Sequence, residues 1–133
     1  MAGSRIGAKA RVQLQNRWVE AVRELVRQIQ SWAKDKGWPA QQAEETITED
    51  PLGTYSVPAL VVEFPAGRLQ VRPIGCNIIG AEGRVDLEAY PTLNRIKLLR
   101  HDDGWVMVTD SNVPLRLPWN ADTFAQLAQD LLA

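Results

Sequence analysis

Asp86 and Glu88 occupy alternate positions of one short segment, and Lys97 follows in the next. Two carboxylates on one strand face can hold Mg²⁺, and a nearby lysine can stabilise charge developing during phosphodiester cleavage. A metal-dependent phosphodiesterase at Asp86, Glu88 and Lys97 is therefore one expectation. The more specific form of such a site sets a glutamate two positions before the lysine. Here the stretch is Arg95-Ile96-Lys97, so the match is one of composition, and a structural charge ladder accounts for the same residues.

Cys76 and His101 are the single cysteine and histidine of the chain. A thiol and an imidazole can act as nucleophile and base when a third group orients them. Cys76 lies in the apolar stretch Ile74 to Ile79, where a buried, inert thiol is the ordinary outcome. His101 adjoins the turn Asp102-Asp103-Gly104. One cysteine also excludes an internal disulfide framework and a multi-cysteine zinc site. Gly75, Gly80 and Gly83 read as bends around a strand, because no helix start follows them to form a phosphate cradle. No cofactor is expected.

Charge carries the remaining signal. The sum is −1, with fifteen Lys and Arg against sixteen Asp and Glu. It hides an asymmetry: through Lys36 there are eight basic and three acidic residues, and from Gly37 onward seven basic and thirteen acidic. A basic helix attached to an acidic body is the plain meaning, and a nucleic-acid or partner surface is the functional one. Arg11, Arg17, Arg23 and Arg27 would carry nucleic-acid binding, read out as affinity falling steeply with salt.

The elements that position these groups follow from periodicity. Trp18, Val22, Leu25, Ile29 and Trp32 step by four and three, the stripe of an amphipathic helix over 8–36. Gly37 and Pro39 end it, with Trp38 folding back as the accompanying contact. Residues 1–7 lack an apolar pattern and are expected to fray. Thr46 to Thr48 offers one short strand, and Pro51, Gly53 and Pro58 mark a loop. Ala59 to Phe64 reads as an inner strand. Arg68 to Ile74, Arg84 to Tyr90 and Arg95 to Arg100 alternate, and Asp103-Gly104 is a hairpin turn leading into Trp105 to Thr109. Asn77 to Gly80 is a short apolar piece. Asn120 is the expected N-cap of a helix over 120–132, with Trp119 and Phe124 at the spacing of a hydrophobic staple.

Connections this short leave no room for helical crossovers, so the strands are expected to be largely antiparallel. The fold class is α+β: an N-terminal amphipathic helix, a five- to six-stranded meander sheet between 45 and 118, and a C-terminal helix. Both helices should lie on one sheet face, with 8–133 forming one domain. Alternation then puts Glu63, Arg68, Arg72, Arg84, Asp86, Glu88, Arg95 and Lys97 on the other face, which is expected to be solvated. No apolar run approaches the ~18 residues of a membrane span, and the start holds no signal-peptide core. The expected setting is cytoplasmic, without a membrane partner. The function expected is that of a small non-catalytic domain that binds another macromolecule, a protein first, through Arg68, Arg72, Arg84, Asp86, Glu88, Arg95 and Lys97, through the basic helix, or through both. Exposed edge strands give a homodimer as a further expectation.

Overall fold

The computed structural model describes residues 7–50, 52–76, 78, 80–102, 104–109 and 112–131. The expected frayed start falls outside them but for its last residue, Gly7, and Asn77, Ile79, Asp103 and Leu132 from the expected elements lie outside as well. Helix α1 runs Ala8–Asp35 and buries Trp18, Val22, Leu25, Val26, Ile29 and Ala33 on the stripe that the spacing predicts. It ends as expected. Gly37 takes a left-handed φ of 74°, its N–H reaches the Lys34 carbonyl at 3.0 Å, and the Trp38 N–H reaches the Ala33 carbonyl at 2.8 Å. These two bonds satisfy carbonyls that the last turn leaves open.

Seven strands follow: β1 Ala40–Glu49, β2 Gly53–Phe64, β3 Gly67–Gly75, β4 Arg84–Tyr90, β5 Arg95–His101, β6 Gly104–Thr109 and β7 Arg116–Pro118, before helix α2 at Ala121–Leu131. Among the described residues they form one sheet in chain order, every neighbouring pair antiparallel. The meander holds, with more strands than the five or six expected. The added strand is β7, paired to β6 from Val106↔Pro118 to Val108↔Arg116. The expected short strand at Thr46 to Thr48 is part of β1, ten residues paired along β2 from Ala40↔Val62 to Glu49↔Gly53. Its sequence shows no apolar alternation because an edge strand with most positions exposed needs none. Glu44 and Glu45 on that edge discourage pairing with another chain.

Pro58 lies inside β2, not in a loop. Pairing to β3 begins only at Leu60, so Pro58 has a strand on one side, where a residue without an N–H is tolerated. Tyr55 and Val57 enter the core from odd positions, Leu60 and Val62 from even ones. The buried parity of β2 therefore changes at Pro58–Ala59.

The inner face aligns Val62, Leu69 and Ala89 across three strands, and Leu60, Val71, Leu87 and Ile96 across four. Both helices contribute to the same core, α1 through its stripe and α2 through Phe124, Leu127 and Leu131. Asn120 caps α2, accepting the Thr123 N–H at 2.9 Å, and the Trp119 and Phe124 rings meet at 5.8 Å. Trp32 touches both of those rings, and the Trp119 indole N–H donates to Gln28 Oε1 at 2.8 Å. Trp105 packs against Trp18 at 6.1 Å under the Arg100 guanidinium. These four tryptophans are thus contacts between elements. Among the described residues no helix is long and apolar enough to cross a membrane.

Gly83 closes the core where β4 begins. A methyl group there would overlap the six-membered ring of Trp18, whereas one at Gly104 meets nothing nearer than the His101 carbonyl at 3.6 Å. Gly83→Ala should lower unfolding stability by about 1–3 kcal/mol, as overpacking does. Gly104→Ala should change it little, and urea titration of the two variants separates them.

Candidate functional site

The face that the helices leave uncovered carries the charged residues that alternation places there. Six of them fall on three adjacent strands: Arg72 on β3, Arg84, Asp86 and Glu88 on β4, Arg95 and Lys97 on β5. Register sets Arg72 opposite Asp86, Asp86 opposite Lys97, and Glu88 opposite Arg95. Arg68 lies further along β3, opposite Tyr90, with its guanidinium 5.2 Å from the ring centre.

This face is not simply solvated. Asp86 is only 2% exposed, because long neighbouring side chains close over it. Its Oδ1 accepts Arg84 Nε at 2.7 Å, its Oδ2 accepts Arg84 Nη2 at 2.9 Å, and Arg95 approaches to 4.0 Å. A fork-to-fork pair is the geometry that lets a carboxylate remain charged under cover. Arg72 bridges Glu88 at 3.1 Å and Glu45 at 3.8 Å, and the Tyr90 hydroxyl donates to Glu88 at 3.2 Å. Arg68 and Glu63 are exposed. Among the described residues Lys97 makes no ion pair. The face holds five cations and, counting Glu45, four carboxylates, so its net field is small.

Two participants are absent from the sequence-derived set. Tyr90 shares the alternation of Arg84, Asp86 and Glu88 and was within reach of that signal. Glu45 was not, since it comes into range of Arg72 only through pairing of the polar strand β1.

The geometry bears on the metal chemistry. Both oxygens of Asp86 hold Arg84, and both oxygens of Glu88 have donors, so neither carboxylate presents a free pair of oxygens to a cation. Among the described residues no group of three or more His, Cys, Asp or Glu is arranged to hold a metal ion.

Cys76 has a carboxylate partner. Its N–H donates to Glu49 at 3.1 Å and its Sγ lies 3.6 Å from Glu49 Oε1, while the Tyr55 hydroxyl donates to Glu49 Oε2 at 2.6 Å. Burial, then the charge of Glu49, pushes the thiol from 9.0 up to about 12. The Tyr55 phenol is raised by burial first, then by its hydrogen bond to Glu49 and the charge of that carboxylate. A raised thiol pKa is the reverse of what a nucleophile needs. His101 lies on β5 opposite Gly104, and no hydrogen bond joins it to Cys76 among the described residues.

The arginines of α1 do not form one face, although Arg23 and Arg27, four residues apart, share a side. Arg11, Arg17 and Arg23 recur every six residues, and at ~100° per residue each is turned about 120° from the last. Arg23 and Arg27 both approach Glu20, at 3.7 and 3.9 Å. No protein-family model, no curated protein and no solved structure matches this chain.

Two outcomes follow. Asp86→Ala removes both hydrogen bonds of the half-buried Arg84 and should cost about 1–3 kcal/mol of stability. Cys76 and Tyr55 hold their protons more tightly folded than unfolded, so their contribution is complete below pH 9; that of Cys76 is lost as pH rises from 9 toward 12 and that of Tyr55 as pH rises above 10. Unfolding free energy measured along that alkaline limb should fall, and Cys76→Ala with Tyr55→Phe should flatten the fall.

Proposed function

We propose that this chain is a non-catalytic binding module that recognises a partner protein on its uncovered sheet face. The observation that carries this is the order already present there: arginines held by carboxylates and a tyrosine in defined positions, on a rigid sheet. Side chains fixed before binding lose little conformational freedom in the complex. Arg and Tyr are also residues on which interface energy concentrates. A face with almost balanced charge lacks the field that draws a polyanion, which favours a protein over nucleic acid. The dispersal of Arg11, Arg17 and Arg23 around α1, with Arg23 and Arg27 both beside Glu20, supports the same choice. The raised thiol pKa of Cys76 and the arginine-held carboxylates support a role without catalysis.

Arg68 and Lys97 can be reversed without uncovering a buried charge. Immobilised wild type and an Arg68→Glu, Lys97→Glu variant are to be exposed to extract of the producing cell, with circular dichroism confirming the fold of each. Retention of the specific partner should weaken about tenfold or more in the variant. Equal retention by both removes the proposal. Oligonucleotide binding that falls steeply with salt would replace it with the nucleic-acid alternative.

A further inference from the structure

Helix α2 and the β5–β7 side of the sheet leave a groove of about 590 Å³ between them, with Leu93, Ile96, Met107, Leu117, Leu127 and Leu131 as its apolar lining. The floor belongs to the core: Ile96, Met107, Leu127 and Leu131 are buried. The rim does not, with Leu93 exposed at 71% and Leu117 at 38%. A concave apolar site of this size, with a buried floor and an open mouth, is the form that small-molecule sites take.

Leu93 is held at the rim against its own backbone preference. Its φ is 65°, in the left-handed region that crowds a side chain and that bulky residues seldom enter. The bonds around it impose that conformation. The Leu93 N–H donates to the Ala89 carbonyl at 2.9 Å, and the Ala89 N–H donates to the Asn94 carbonyl at 2.8 Å. Thr92 Oγ1 and Asn94 Nδ2, the latter at 3.0 Å, both donate to the Leu131 carbonyl, which fixes this loop against α2. Glycine takes such a backbone freely, yet a leucine stands here with most of its side chain in water. Packing does not account for it. Backbone strain of this kind gathers at ligand-holding positions.

The polar groups of the lining are already engaged within the chain. Thr109 Oγ1 accepts the Leu115 N–H at 2.8 Å, Thr123 Oγ1 donates to the Pro118 carbonyl at 2.8 Å, and Gln126 Nε2 donates to Asp130 Oδ1 at 3.0 Å. The two charged residues of the lining, Asp130 and Arg95, are of opposite sign, and Arg95 approaches Asp86 on the other face to 4.0 Å. Neither sign is in excess. A charged ligand would give up water without an opposite charge to meet it, whereas an uncharged hydrocarbon gives up nothing.

We propose that this groove binds a small uncharged molecule of mainly hydrocarbon character, with Leu93 as its outer wall. The groove lies on the helix-covered side of the sheet, so the proposal stands whether or not the uncovered face binds a protein.

Titration of 1-octanol into the full chain carrying ¹³C-labelled methionine methyl groups tests it, the Met107 signal being assigned through Met107→Leu. That signal should shift saturably, with half-saturation at about 1 mM or below. Octanoate, the charged counterpart, should bind about tenfold more weakly or worse. Leu93→Gly relieves the backbone, so urea titration should find it as stable as the wild type or more so. Its octanol affinity should nevertheless fall about fivefold, and Leu117→Ser on the rim at β7 should weaken binding likewise. A shift that does not saturate, octanoate bound as tightly as octanol, a less stable Leu93→Gly, or full affinity in both rim variants would each overturn the proposal. A Met107 shift produced by raising the protein concentration alone would replace the small molecule with a second copy of the chain.

Discussion

The structure depends on one constraint: a seven-stranded sheet has two faces, and its two helices cover one of them. The covered face is closed by apolar side chains, with Leu60, Val71, Leu87 and Ile96 aligned across four strands beneath the α1 stripe and α2. The other face must satisfy itself. Its central strand puts a carboxylate at Asp86, where the flanking strands and long neighbouring side chains exclude water, and a charge so placed persists only if it is paired. Arg84 supplies that pair from two positions along the same strand. The arginines of this face are therefore structural before they are available to any partner, and that is the source of their order.

Much of this arrangement was legible because strand alternation has a period of two and the connections are short. The positions of Arg72, Arg84, Asp86, Glu88, Arg95 and Lys97 on one face follow from that period alone, as does the α1 stripe from a period near 3.6. The caps were legible for a local reason: Gly37 and Asn120 act within a few residues of themselves. Most of strand β1, beyond Thr46 to Thr48, was hidden because its pattern lacks the apolar half that marks a strand, being held by backbone pairing at an edge. Pro58 misled in the opposite sense, since a proline signals a break unless one side of the strand is unpaired. The Glu49–Cys76 contact joins residues twenty-seven apart in the chain, and no local signal announces it. The burial of Asp86 was equally hidden, because alternation assigns a face but not the reach of the neighbouring side chains over it.

The near-zero net charge of the chain has a spatial meaning. On the sheet face opposite charges lie within contact distance, so the field cancels over a few ångströms. Along the helices the charge is separated: the start of α1 is purely basic and α2 purely acidic. Cancellation of the first kind leaves a surface that discriminates by shape and hydrogen-bond direction. Separation of the second kind leaves a field that acts at a distance and orients an approaching molecule.

Screening decides how far each kind reaches. At physiological ionic strength the Debye length is about 8 Å, shorter than the ~15 Å span of the first ten residues of α1. Only charges in near contact then contribute to holding a complex, while more distant ones affect its rate of formation. For the sheet face the pairs are already formed, so salt has little left to screen.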